Sequence, residues 1–441
     1  MCITISPGGA RAEVDYNRDV LPILAGSCFP CHGVDGKKRK AKLRLDVREV
    51  AIAERKGVHA IVPGRPQESA LVKRIFSTDE DEVMPPPGKG KPLEQSEKDI
   101  LKEWIAGGAV YGTHWAFVAP KKAPMPRGAN WGRNEVDRFI YARLKEKGLE
   151  PREPASREEF LRRSTLDLTG LPPTIEELDT SLADKSPAAY GKVVDRLLGS
   201  PRFGERMAVW WLDGARYGDS HGYDNDLENS QWPWRDWVIR SFNSNKPFDE
   251  FTIEQLAGDL LEKPTNDQVI ATGFNRNHRI NTEGGAIDEE WRTEYVIDRV
   301  ETMGTVWLGL SLGCARCHEH KYDPLSQKEF YRLFAFFNNL EEKGFINNLR
   351  GSAEPRIPYK ANPKIQVMVM REMKNRRKTR VLGGGQYDAP GEEVESGLPA
   401  FLPPLPAGEK MTRLGLARWL VNGKHPLTAR VLVNRIWEQF F

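Results

Sequence analysis

Residues 314–324 read CARCHEHKYDP. Two cysteines stand three positions apart with a histidine directly after, in a chain of 441 residues that has only five cysteines. A second unit of the same form, CFPCH, occupies residues 28–32. Four of the five cysteines, Cys28, Cys31, Cys314 and Cys317, therefore lie in two C-x-x-C-H units. Two thiols at this spacing can add to the two vinyl groups of one haem, and the adjacent histidine then supplies an axial nitrogen to the iron. A structural zinc site wants four ligands. The two units supply four thiolates only by meeting, and zinc has no need of the following histidines. A thioredoxin-like redox site expects a strand before the motif in a β-α-β setting, and neither unit has one. The reading is two c-type haems, ligated by His32 and His318, with zinc as the main alternative.

Around the first unit the pattern is helical. YNRDVLPILAGSCFPCHG places Val20, Leu21, Ile23 and Leu24 on one face, and Gly26 is expected to break the helix before Cys28. ESALVKRIF (68–76) and SEKDILKEWIAGGA (96–109) are short amphipathic helices. The second has Ser96 as N-cap candidate, an apolar face of Ile100, Leu101, Trp104 and Ile105, and Gly107 and Gly108 as its stop. A haem domain of this kind needs a second axial ligand from a later loop. Met84, in DEVMPPPGKGKPL, stands before three prolines that exclude helix. A thioether there raises the potential relative to two histidines. His59 is the competing ligand.

Together DYNRDVLPILAGSCFPCHG, LRLD, PGRPQESALVKRI, MPPPGKGKPL, WIAGGA and HWAF resemble the planctomycete-type cytochrome c domain, over residues 14–118. The resemblance implies a covalently attached haem c ligated by His32, and it agrees with Met84 as the distal ligand.

The rest of the chain is expected to be mainly α-helical. APKKAPMPRGANWGR (119–133) is a basic, proline-rich linker. Residues 134–345 read as a larger helical domain with long loops. Its helices include NEVDRFIYARLKEKG, with Val136, Phe139, Ile140 and Leu144 on one face. EYVIDRVETMGTVWLGL has Val296, Val300, Met303, Trp307 and Leu310 on a core face. SQKEFYRLFAFFNN has Phe330, Leu333, Phe334 and Phe337. RYGDSHGYDNDLEN (216–229) sets His221 among Asp219, Asp224, Asp226 and Glu228, a spacing able to hold calcium or to form a plain solvated loop. NRNHRINTEGGAIDEEWR (275–292) carries His278 and Glu283. LDLTGLPPT, ARYGDSHGYD, RDWVI, EQLAGDLL, EGGAIDEEWR and CARCHEHKYDP resemble the large domain of unknown function that follows such cytochrome domains. Residues 346–398 read as a linker, with a basic helix at KIQVMVMREMKNRRKTR and a flexible loop at VLGGGQYDAPGEEVESG. Residues 399–441 resemble the start of the C-terminal partner domain of these proteins.

For the second iron the free candidates for the distal side are His278 and His221. His320, two residues from His318, is tethered under the same face and suits a loop-orienting role. If neither distant histidine binds, the iron stays open for a small ligand or peroxidase-like chemistry.

A net charge of +3 argues against nucleic acid as the main partner, and no apolar run reaches the roughly 18–20 residues of a membrane span. The first residues do not form a signal peptide. Cys2 is either the remnant of an export or lipid-attachment signal or a stray thiol. The expectation is an exported dihaem cytochrome c serving a redox partner or a missing C-terminal domain. The alternatives are a haem enzyme built around His221, Asp224, Asp288 and Glu289, and a polysaccharide-associated module for which twelve tryptophans are permissive.

Overall fold

A computed structural model describes residues 14–36, 38–89, 91–128, 131–346 and 354–441; Cys2 lies outside them, as does part of the 346–398 segment. The described chain is mainly α-helical, and its strands pair only as three two-stranded antiparallel sheets. No described helix is long and apolar enough to cross a membrane. The chain divides into two units, and the division does not follow sequence order. One unit holds residues up to 118 together with 310–335 and 378–404, and the other holds 119–309, 336–377 and 405–441. The stretch 134–345, which reads as one domain, is thus shared between the two.

In the first unit, helix Leu21–Ser27 begins with a proline in its first turn and continues through Gly26. Cys28 then closes it and opens a single turn, Phe29–His32. Gly26 is therefore no breaker; nothing lies near enough to a Cβ there to demand glycine. Helix Gln95–Ala106 is capped by a reciprocal pair, Glu94 and Glu97, and not by Ser96. It ends at Gly107 as expected, with Gly108 at φ +97°. Its Leu101, Trp104 and Ile105 are buried. They pack with Val20, Leu24, Phe29, Leu45 and Ile61 into one apolar core. Tyr16, Trp104 and Tyr111 form an aromatic triangle with ring centroids 4.8–5.7 Å apart, of the kind worth about 0.5–1.5 kcal/mol per pair beyond burial.

The glycine-rich segment expected to be a flexible loop is a hairpin in the same unit. Strands Thr379–Leu382 and Pro390–Val394 pair antiparallel, with a tight turn at Gly383–Gly385 between them. Val381 and Leu382 before the turn and Val394 after it give the two sides enough β-formers to pair.

The second unit packs its helices around aromatic side chains. Trp211 meets Phe251 at 4.8 Å and Trp307 at 5.6 Å, and Phe274 meets Trp307 at 4.8 Å. Helix Asp288–Met303 buries Val296, Val300 and Met303, as its spacing predicts. The expected apolar face of helix Glu135–Glu146 forms, yet Val136, Phe139 and Ile140 stay exposed. The expected basic helix at 364–380 is corrected: Asn362–Met368 is a strand paired with Arg356–Tyr359. Ile365, Val367 and Val369 are β-branched and favour the extended chain. Polar side chains then satisfy its backbone: Met368 N–H donates to Gln231 Oε1 (3.1 Å), Gln231 Nε2 donates back to Met368 O (3.1 Å), and Met370 N–H donates to Thr272 Oγ1 (2.8 Å).

Candidate haem-attachment sites

The first motif is built on a helical turn. His32 N–H donates to Cys28 O (2.8 Å) and Cys31 N–H to the same oxygen (3.1 Å), so Cys28 and Cys31 share one side of the turn. Lys40 N–H donates to Cys31 O and Leu45 N–H to His32 O, both at 2.8 Å, which ties the following loop back onto the motif. Gly33 lets the chain leave: a Cβ there would sit 2.6 Å from Phe29 O. Cys28 packs against the apolar core, and burial pushes its thiol up to about 12. Such a site disfavours a thiolate, which zinc requires, and suits an uncharged thioether.

His32 is half-buried. Burial lowers its pKa, the Lys40 backbone offsets part of that, and Arg74 lowers it further. The ring is thus held neutral, as axial ligation requires, and its Nδ1 is buried with no hydrogen-bond partner. Met84 N–H donates to the carbonyl of Arg74 (3.2 Å). His59 instead directs Nδ1 at Ile52 O (2.9 Å), on a separate short hairpin.

The second motif rests on a 3-10 turn, Leu312–Arg316. Cys314 and Cys317 are both exposed, as is His318. His318 Nδ1 lies 2.6 Å from Glu319 O. A carbonyl only accepts, so Nδ1 carries the proton and Nε2 keeps the lone pair a metal needs. Arg316 donates through Nε and Nη2 to Gly385 O (3.2 and 3.1 Å). Gly385 has φ +76°, and a Cβ there would lie 2.8 Å from Cys317 Sγ. The hairpin turn is therefore pressed against the second cysteine, a contact that only glycine permits. Gln327 Nε2 donates to Arg316 O (2.9 Å) and Leu382 O (3.0 Å), which joins motif, helix and hairpin. His320 orients the loop: its Nδ1 accepts from Asp323 N–H (2.8 Å) and Tyr322 N–H (3.3 Å). Sequence reasoning missed Gly385 and Gln327. The run of three glycines was the available signal, and only the fold shows what it touches.

The donor sets of both motifs fit haem c. At Cys28 the thiol is kept uncharged and the neighbouring imidazole neutral; at His318 the tautomer leaves Nε2 as acceptor. His278 and His221 belong to the second unit, whereas both motifs belong to the first. His278 is buried and stacked on Tyr295 at 4.2 Å. Its Nδ1–H donates to Arg279 O and its Nε2 accepts from Arg299 Nη2, both at 2.9 Å. No lone pair remains for a metal. Burial, then the nearby Arg299 and Arg276, hold its pKa well below the ordinary value. Arg299 in turn makes a two-pronged pair with buried Glu342 (2.5 and 2.6 Å), which also meets Arg276 at 3.3 Å. His221, within the acidic loop, is buried.

That loop is tied up internally. Asp226 Oδ1 accepts Gly222 N–H (2.7 Å), and Asp219 accepts Gln231 N–H (3.2 Å) and the Tyr217 hydroxyl (2.5 Å). Among the described residues no group of three or more His, Cys, Asp or Glu side chains gathers as a metal site. The calcium expectation for residues 216–229 is thus unsupported, and the four thiols do not converge on one zinc. Of the residues considered for a haem-enzyme site, Glu289 pairs with Arg292 and Asp288 accepts Phe345 N–H (3.1 Å).

No curated protein and no solved structure matches this chain. Three family models do, in the order the motifs suggested. A cytochrome c segment implies haem c. Residues 28–88 match the model of Planctomycete cytochrome C, residues 135–342 that of the protein of unknown function DUF1549, and residues 412–441 that of the protein of unknown function DUF1553.

Proposed function

We propose that this protein is an exported, dihaem c-type cytochrome that passes electrons between a redox partner and a further carrier. Haem, when bound, supplies reversible one-electron storage at iron. Cys28 and Cys31 hold the first group and His32 ligates it, with Met84 on the far side. Cys314 and Cys317 hold the second, ligated by His318. The observation that carries the two-haem reading is the 2.6 Å contact of His318 Nδ1 with Glu319 O, which leaves Nε2 for a metal beside two exposed thiols. Export follows from the attachment chemistry, since thioether formation to haem takes place outside the cytoplasm.

The test is to express the chain with an export signal in a bacterium able to attach haem c, and to weigh the product. Two added haem masses are expected, both lost from a product retained in the cytoplasm. A product with no added haem sinks the cytochrome reading, and one with a single haem sinks the dihaem part.

A second reading has its own support. Because both His278 nitrogens are engaged, an iron at the second motif has lost one candidate for its distal side. An open site would bind cyanide or react with peroxide. A high-spin component that responds to cyanide would favour this enzyme-like reading, and low-spin iron at both sites would favour transfer alone.

A further inference from the structure

Residues 310–335 leave the helical region in which the sequence embeds them and join the first unit, as does the hairpin segment 378–404. The points of departure are marked. Gly309, at φ +63°, closes the helical stretch before the second motif. From the cytochrome segment to the second motif there is a continuous path of contacts. Phe117, at the end of the first hundred or so residues, meets Phe401 edge-to-face at 4.7 Å. Next to it, Ala400 N–H donates to Glu329 Oε1 (2.7 Å). Glu329 lies on the helix whose first residue, Gln327, donates its N–H to Glu319 Oε2 (3.2 Å). Glu319 follows His318 directly.

We propose that residues 14–118, 310–335 and 378–404 form one bipartite, two-site haem unit, so that the second C-x-x-C-H works with the cytochrome segment and not with the helical body that surrounds it in sequence. This rests on the dihaem reading and deepens it by naming the partner of the second site: the first site of the same chain. Its consequence is that two paramagnetic irons held there affect one another.

The experiment uses the full, exported, haem-loaded chain. Electron spin resonance of the ferric protein at low temperature should show fast-relaxing signals from coupled centres. In C314S/C317S the first-site signal should persist, with that fast relaxation lost. Because the variant can misfold, the wild type provides an independent comparison. Poising the potential so that one iron is ferrous and diamagnetic should slow the relaxation of the other. Two haems by mass with relaxation unchanged in both comparisons overturns the shared unit and leaves the dihaem reading standing. One haem by mass overturns both.

Discussion

The two C-x-x-C-H motifs share five-residue chemistry and rest on different foundations. The first lies on a helical turn whose leading cysteine is partly buried and packs against an apolar core. The second lies on a 3-10 turn with both thiols exposed, and neighbouring segments hold it: Gly385 against Cys317, and Gln327 across to Arg316 and Leu382. One motif is secured by local sequence, the other by tertiary contact. The largest expected effect follows from this. C28S/C31S should lose the first haem and also weaken the apo-chain, because a hydroxyl replaces a thiol packed against the core at a cost of about 1–3 kcal/mol. C314S/C317S should lose the second haem while changing apo-chain stability by no more than about 0.5 kcal/mol. Haem mass and hydrogen exchange at residues 95–106 report the two effects separately. Equal losses of protection in both variants would end the contrast.

Next in size is the far side of the first iron. Axial ligand choice spans about 0.8 V in haem proteins, and a thioether raises the potential relative to imidazole. Met84→His should lower the potential of one haem by on the order of 0.1 V and leave the other unmoved. Potentiometric titration of the Soret band reads both centres in one experiment. A variant with both potentials unchanged removes Met84 as a ligand.

Gly385→Ala attacks the foundation of the second motif. The new Cβ would sit 2.8 Å from Cys317 Sγ, in a backbone conformation that side chains resist. The local cost is about 1–3 kcal/mol, and haem loading should fall at Cys314 and Cys317 alone. Digestion followed by mass spectrometry of the haem peptides measures occupancy at each motif. Full loading of both would mean that the hairpin turn is not needed to hold Cys317.

What could be read from the sequence divides along the same line. The helices around Cys28 were legible because their signals are local: apolar spacing, a proline in the first turn, and glycines after Ala106. Ser96 was misread as a cap because Glu94 and Glu97 offer a better reciprocal pair one turn edge earlier. The strand at 362–368 was hidden, because its backbone partners include Gln231 and Thr272, about a hundred residues or more away. His278 looked free in sequence for the same reason. Its two partners include Arg299, a helix away, and a polar loop gives no sign that its histidine is buried. The two motifs themselves were plain from spacing. That they belong to one unit was not, since 310–335 is separated from the first segment by nearly two hundred residues that fold elsewhere.

The smallest expected effect concerns protons at the first motif. The His32 pKa is lowered, first by burial, from an ordinary value of about 6.5. Between the folded and the unfolded value, the unfolded chain binds more protons, so stability rises with pH there. The contribution of a neutral His32 is fully present above about pH 6.5 and is lost as the pH falls through the folded value. One proton sets a ceiling of about 1.4 kcal/mol per pH unit, and the partial exposure of the ring keeps the slope below it. The apo-chain should thus lose protection at residues 95–106 below pH 6.5 more steeply than His32→Gln does. Haem binding removes the difference, because a ligated nitrogen cannot take the proton. If the apo-chain and His32→Gln lose protection in parallel from pH 7 to 5, burial of His32 is not what holds the imidazole neutral, and ligation alone must do so.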